Sequence, residues 1–354
     1  MVTGRRAAVG IAVAAAVVAG ATVTGTTAEA RPGGAVAAAQ GDCPAARAKV
    51  DRLEGRITPN ACAFMTRQIA FGEMPTGTPP ADGDLGHPRV RAYLDIFDPE
   101  ATLWEAGAPA QRGHGPIGTS ITRSLALAPS LVYRGTDVVA DGSTVMFGQW
   151  NEVTLKGHRI AYPQIARNVL GDEGRTLQAR RYYDRAVLFR DTLPESAPPA
   201  LFAGIADSGE ADEGRAAARF RVGEIPARLA AWNAEDTDAL LRRFAGARLS
   251  GPGLDAPLVT AAGKRAYLER LFATADLRLK AGQVAVGTTT TYVEWHGTAV
   301  LPDDPATPEV DPTAVPFGIV ERFGPDGAWE LFFDTLPLVA TQAEIGALFR
   351  RLAS

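Results

Sequence analysis

Two aspartates are the first candidates for chemistry, because each follows an aromatic pair near the end of its half of the chain. Tyr182-Tyr183-Asp184 is followed by Leu193-Pro194, and Phe332-Phe333-Asp334 by Leu336-Pro337. A carboxylate facing an apolar wall is pushed up toward the pKa of a usable general base. The same aspartate at a strand end can instead pin the chain by accepting backbone hydrogen bonds, and its recurrence fits either role. A second constellation is Glu294 with His296. Strand alternation puts Tyr292, Glu294 and His296 on one face and Val293 and Trp295 on the other, so Glu294 and His296 lie about 7 Å apart and can orient one another. The matched positions in the first half are Gln149 and Asn151 around Trp150, which hydrogen-bond but are neither acids nor bases at neutral pH. Turned inward, this face makes one catalytic pocket and one binding pocket. Turned outward, it is solvated surface.

The two halves repeat at a spacing of roughly 145 to 150 residues, which reads as two domains of one fold. In the first, residues 89–97 and 116–127 read as helices. Residues 101–104, 144–153, 165–170 and 177–188 read as strands, with a turn at Asp172-Glu173-Gly174. In the second, helices are expected over 224–232, 236–244 and 264–272. Strands are expected at 248–249, 284–300, 317–323 and 329–336, with Asp326-Gly327 as a hairpin turn. Helices segregated from an antiparallel sheet define an α+β class. The domain limits on this reading are 42–193 and 222–345, joined by a Pro- and Ala-rich linker over 194–221.

The amino terminus carries a different signal. Arg5-Arg6, the small apolar run Ala7 to Ala21 and Ala28-Glu29-Ala30 together read as a secretory signal peptide over 1–30, followed by a flexible tail over 31–41. The expected location is therefore secreted, or extracellular, with no membrane segment once the signal is removed. Cys43 and Cys62 enter an oxidising compartment on this reading and are expected to pair, stapling a helix over 44–53 onto one over 61–71. The closed loop should contribute on the order of 3 kcal/mol.

Several activities are disfavoured. The 36 basic and 40 acidic residues are interspersed and give a formal charge of -4, so no basic face for nucleic acid is visible. The four histidines lie far apart, without metal-ligand spacing. Gly113-His114-Gly115-Pro116-Ile117-Gly118 satisfies a dinucleotide pattern only formally, with a Pro in the turn and no βαβ context. No cofactor is called for.

The run Tyr93-Leu94-Asp95-Ile96-Phe97-Asp98-Pro99-Glu100-Ala101-Thr102-Leu103, the following Gly113-His114-Gly115-Pro116-Ile117 loop and Tyr182-Tyr183-Asp184 resemble the SnoaL-like branch of the nuclear transport factor 2-like superfamily. The second half matches more loosely, through Phe244, Gly263-Lys264-Arg265 and Phe333-Asp334. The resemblance implies two tandem cone-shaped domains, each a curved antiparallel sheet wrapped around about three helices, with one open pocket apiece. It does not imply one activity, because the superfamily spans cyclases, isomerases, hydrolases, dehydratases and binding modules.

The expected catalytic groups are therefore Asp184, Asp334, Glu294 and His296. Expected ligand contacts are Tyr93, Trp104, Gln149, Trp150, Asn151, Tyr182, Tyr292 and Trp295. Two functions stay open: binding of a small apolar molecule or of a protein, and cofactor-independent isomerisation, cyclisation or elimination by a pocket carboxylate. The two halves are expected to pair as an intramolecular pseudo-dimer, in a monomer or homodimer.

Overall fold

A computed structural model describes residues 42–105, 109–208, 219–302 and 314–354. The expected signal peptide, the tail and the middle of the linker lie outside the described residues. The first half runs α1 (Pro44–Arg47), β1 (Val50–Arg56), α2 (Pro59–Gly72), α3 (Pro88–Leu94), β2 (Phe97–Glu105), β3 (Gln111–Arg112), α4 (His114–Leu127), β4 (Val132–Asp141), β5 (Thr144–Leu155), β6 (His158–Leu170), β7 (Thr176–Tyr182) and α5 (Val187–Arg190). The second half runs α6 (Ile225–Asn233), α7 (Thr237–Leu241), β8 (Arg248–Ser250), α8 (Ala261–Thr274), β9 (Asp276–Val286), β10 (Thr291–Val300), β11 (Ala314–Phe323), β12 (Ala328–Phe332), α9 (Leu336–Val339) and α10 (Gln342–Ala353).

The class is α+β, with a seven-stranded sheet in the order β1-β4-β5-β6-β7-β2-β3 and a five-stranded sheet in the order β8-β12-β11-β10-β9. Neither sheet is purely antiparallel. β1 lies parallel to β4, β2 to β7 and β8 to β12, each strand joining its neighbour through a helix-bearing crossover. Helix starts follow local chemistry. Thr58 caps α2 with Pro59 in its first turn, Asp236 caps α7, Thr260 caps α8, and Thr341 with Glu344 forms a capping box on α10.

Several elements differ from expectation. The helix expected over 44–53 is a single turn followed by strand β1, since pairing with β4 outweighs local propensity. Gly55 makes that pairing possible: it has φ +93°, and a Cβ there would stand 2.1 Å from the Ala140 carbonyl oxygen. The single strand expected over 284–300 is the β9–β10 hairpin, closed where the Gly287 N–H donates to Thr290 at 2.7 Å. Strand β4, interrupted by polar Arg134 to Asp137 and an irregular register, is an element the alternation pattern does not reveal.

The segment after Pro194 is not merely a spacer. Phe202 is buried and stacks on Tyr267 with centroids 4.0 Å apart. The limit drawn at 345 falls inside α10, whose Ile345, Leu348 and Leu352 pack with Val153, Leu155, Ile160 and Phe189 of the first half. The Cys43–Cys62 disulfide is present, with Cα atoms 5.5 Å apart, and ties α1 to α2.

Helices α2 and α4 cover one face of the first sheet, and α6 and α8 one face of the second. The other faces meet: Val139, Met146, Ile165 and Tyr182 pack with Ala285, Tyr292, Val320 and Phe332.

Candidate functional site

Glu294 lies where the two sheets meet. Its Oε1 accepts from Arg167 Nε at 2.8 Å, Tyr182 OH at 2.6 Å and Arg180 Nη1 at 3.3 Å, and its Oε2 from the Gln283 N–H at 2.8 Å. Burial pushes this carboxyl up, but Arg167, Arg180 and the two hydrogen-bond donors outweigh it and hold the pKa below the ordinary value. A carboxylate so held is a poor proton acceptor. None of its described hydrogen bonds goes to His296, which burial and Arg180 push toward the neutral form against the pull of Glu294. The expected acid–base pair is thus corrected. Alternation puts Tyr292, Glu294 and His296 together on the face that meets the first sheet, while helices cover the Val293 and Trp295 face; of the three, Tyr292 alone reaches the wall of the inter-domain cavity.

Asp334 is also fully engaged. Its Oδ2 accepts from Arg185 Nε at 2.6 Å, and its Oδ1 from the N–H groups of Arg185 at 3.0 Å and Leu336 at 3.2 Å. Among the described residues Asp184 receives only neutral donors, all on Oδ1: the Ala186 N–H at 3.2 Å, the Thr335 N–H at 3.1 Å and the Thr335 hydroxyl at 2.7 Å. Burial and the charge of Asp334 raise Asp184 to about 6, against the opposing effect of those three bonds. Of the four expected catalytic groups, Asp184 is the one whose environment suits proton transfer.

The centre of the second domain is filled by an ion pair, beside a smaller cavity of about 260 Å³ lined by Phe220, Phe244 and Phe323. Glu321 is buried beneath the sheet, held by Arg228 through two contacts of 2.6 Å. Three indole N–H groups complete its shell, from Trp295 at 2.8 Å, Trp329 at 2.9 Å and Trp232 at 3.2 Å. The Arg228 guanidinium lies over the rings of Phe244, Phe323 and Trp329 at 4.8 to 5.1 Å. Trp295, expected to touch ligand, is instead part of this plug. Sequence reasoning missed Glu321 and Arg228; a lone acid inside the apolar run of β11 is the signal that marks a buried, paired carboxylate.

Tyr182 and Tyr292 are likewise structural. The Tyr182 hydroxyl donates to Glu294, and that of Tyr292 to the Asp137 carbonyl at 3.0 Å. Trp104 packs on Tyr182 with centroids 5.7 Å apart, under the Arg180 guanidinium.

The first domain's interior has a different character. Tyr93 packs between Phe71 and Phe97, each at 5.1 Å, and Gln149 accepts from Gln164 at 2.6 Å. Asn151 Nδ2, Gln68 Oε1 and Arg181 Nη1 are buried without a hydrogen-bond partner among the described residues. Such atoms are costly unless water or ligand reaches them.

A cavity of about 700 Å³ opens between the domains. Its walls are Gln149 and Trp150 of β5, Tyr162 of β6, Tyr183 and Asp184 beyond β7, the segment around Phe202, the loop Gly251 to Pro257 and the end of β12. Tyr162 and Tyr183 stack with centroids 5.5 Å apart. The volume lies within the range of about 300 to 1,000 Å³ usual for small-molecule sites. Gln149, Trp150, Tyr292 and Asp184 meet here out of the twelve residues expected to act. No group of three or more potential ligating side chains among the described residues could hold a metal ion, and none of their helices is long and apolar enough to cross a membrane.

No family model matches the sequence, and no curated protein matches it. Solved structures similar to the chain are SnoaL-like, ketosteroid isomerase-like and NTF2-like proteins. A SnoaL-like polyketide cyclase from Jannaschia is 14% identical with a TM-score of 0.32, covering 40% of this chain and 98% of its own. A protein with a ketosteroid isomerase-like fold from Catenulispora acidiphila is 18% identical with a TM-score of 0.31, covering 38% and 94%. An NTF2-like protein of unknown function from Burkholderia pseudomallei is 11% identical with a TM-score of 0.30, covering 37% and 98%. Each is a likeness of fold, and the site is read from its own geometry.

Proposed function

We propose that the chain is an exported two-domain protein that binds a small, largely apolar molecule in the cleft between its domains. The observation that carries this reading is the cavity of about 700 Å³ lined by Trp150, Tyr162 and Tyr183, set beside a second domain whose own centre is filled by the Arg228–Glu321 pair and its tryptophans. The second domain then acts as the cleft's far wall and as half of an intramolecular pseudo-dimer. Export is supported by the leader-like sequence of residues 1–30 and is compatible with the disulfide.

A thermal-shift screen against steroids, aromatic polyketides, epoxides and fatty acids tests the reading, run beside Ala256→Trp, which places a bulky ring in the exposed loop at the cleft mouth. A compound that stabilises the protein and loses its effect in Ala256→Trp is the expected result. No stabilising compound, or one indifferent to that substitution, overturns it.

One observation favours catalysis as a second reading. Asp184 lines the cavity with its pKa raised to about 6 and its described hydrogen bonds confined to one oxygen, as a general base for proton abstraction requires. Turnover of a bound carbonyl compound, rising with pH through about 6 and abolished in Asp184→Asn, would establish it.

A further inference from the structure

The cleft is lopsided in charge. Asp51, Asp137, Asp184, Asp255 and Glu330 line it against only Arg190 and Arg322. Ion pairing does not remove the excess. Asp51 is matched by Arg134, Asp137 by Arg52 and Arg322, Glu330 by Arg322, and Arg190 lies 3.5 Å from Asp191. Asp184 and Asp255 are left with no cationic partner among the described residues. The charged group that acts on Asp184 offers no relief, because Asp334 is itself an acid and is matched to Arg185.

The same space is walled by aromatic faces. Trp150 and the stacked Tyr162 and Tyr183 offer the electron-rich surface that attracts a cation and its apolar body together. An anion would meet like charge at Asp184. A neutral ligand of the same shape would cover this carboxylate and supply no counter-charge.

We propose that the cleft takes an organic cation, an amine or quaternary ammonium carried on a flat apolar ring system, with Asp184 as its counter-charge and Trp150, Tyr162 and Tyr183 as its wall. This rests on the reading of the cleft as the ligand site.

Three probes sharing an anthracene ring and differing only in an aminomethyl, hydroxymethyl or carboxylate group separate the two ideas by fluorescence titration of the purified protein. The aminomethyl probe is expected to bind about tenfold or more tighter than the hydroxymethyl probe, the size of one charge-assisted contact, and the carboxylate probe weakest. Asp184→Asn keeps an oxygen for the three described hydrogen bonds, so it should erase most of the preference by weakening the aminomethyl probe far more than the hydroxymethyl one. Asp255→Asn, on the exposed loop, should reduce the preference by a smaller factor. Equal binding of the cationic and neutral probes, or an Asp184→Asn variant that weakens both alike, overturns the ligand class and leaves the cleft reading standing. Binding of none of the probes, or binding untouched by Ala256→Trp, overturns the cleft reading itself.

Discussion

Asp184 and Asp334 form a reciprocal clasp between the halves. Each accepts the N–H two residues ahead in its own half, from Ala186 and Leu336 respectively. Each also accepts the N–H of the residue that follows its counterpart, Thr335 for Asp184 and Arg185 for Asp334. The repeat visible in the sequence is therefore a repeat of bonding, and one member alone carries a guanidinium partner.

That difference sets opposite outcomes for two like substitutions. Asp334→Asn leaves the Arg185 guanidinium buried without its counter-charge and should cost about 3 to 5 kcal/mol in chemical unfolding. Asp184→Asn keeps the acceptor oxygen and should cost far less. The folded pKa of Asp184, about 6, exceeds its ordinary 3.8. Its contribution is therefore fully present below about 3.8 and is lost as pH rises through about 6. Stability measured across that window should decline in the wild type more steeply than in Asp184→Asn.

Glu294 predicts the reverse sign. Its folded pKa lies below the ordinary 4.5, so its contribution is present above that value and is lost as pH falls through the folded pKa. Glu294→Gln strands the buried Arg167 and should cost about 3 to 5 kcal/mol, whereas the double change Glu294→Met with Arg167→Met should recover much of it. Equal losses in the single and double variants would show that the cost does not come from a stranded Arg167.

The plug in the second domain is testable by its own fluorophores. Trp232, Trp295 and Trp329 are fully buried and point their indole N–H groups at Glu321. Glu321→Ala leaves three donors and Arg228 unsatisfied. It should destabilise by about 3 kcal/mol or more and shift tryptophan emission to the red before global unfolding. An unchanged emission spectrum with wild-type stability would count against the plug.

Much of the local structure was legible in the sequence, because its causes are local. The capping Asp236, the helical spacing of Tyr267, Leu268 and Leu271, the strand period around Trp295 and the cysteine pair all act within a few turns of chain or one short loop. Strand β1 escaped it because its partner β4 is distant in sequence and the pairing itself supplies the stability, whereas β4, a tight hairpin with β5, escaped it because polar residues between Arg134 and Asp137 and an irregular register interrupt its alternation. The α10 helix was missed although Thr341 and Glu344 spell out its capping box.

The sequence by itself determined the two-fold repeat, the α+β class, the disulfide and which residues share a face of each strand. Only the tertiary structure decided what covers that face. Strand alternation is a property of one backbone, whereas the burial of Glu294 against Arg167, the filling of the second domain's centre around Glu321 and the cleft beside Asp184 arise from surfaces more than a hundred residues apart, or from helices folded back on their own sheet.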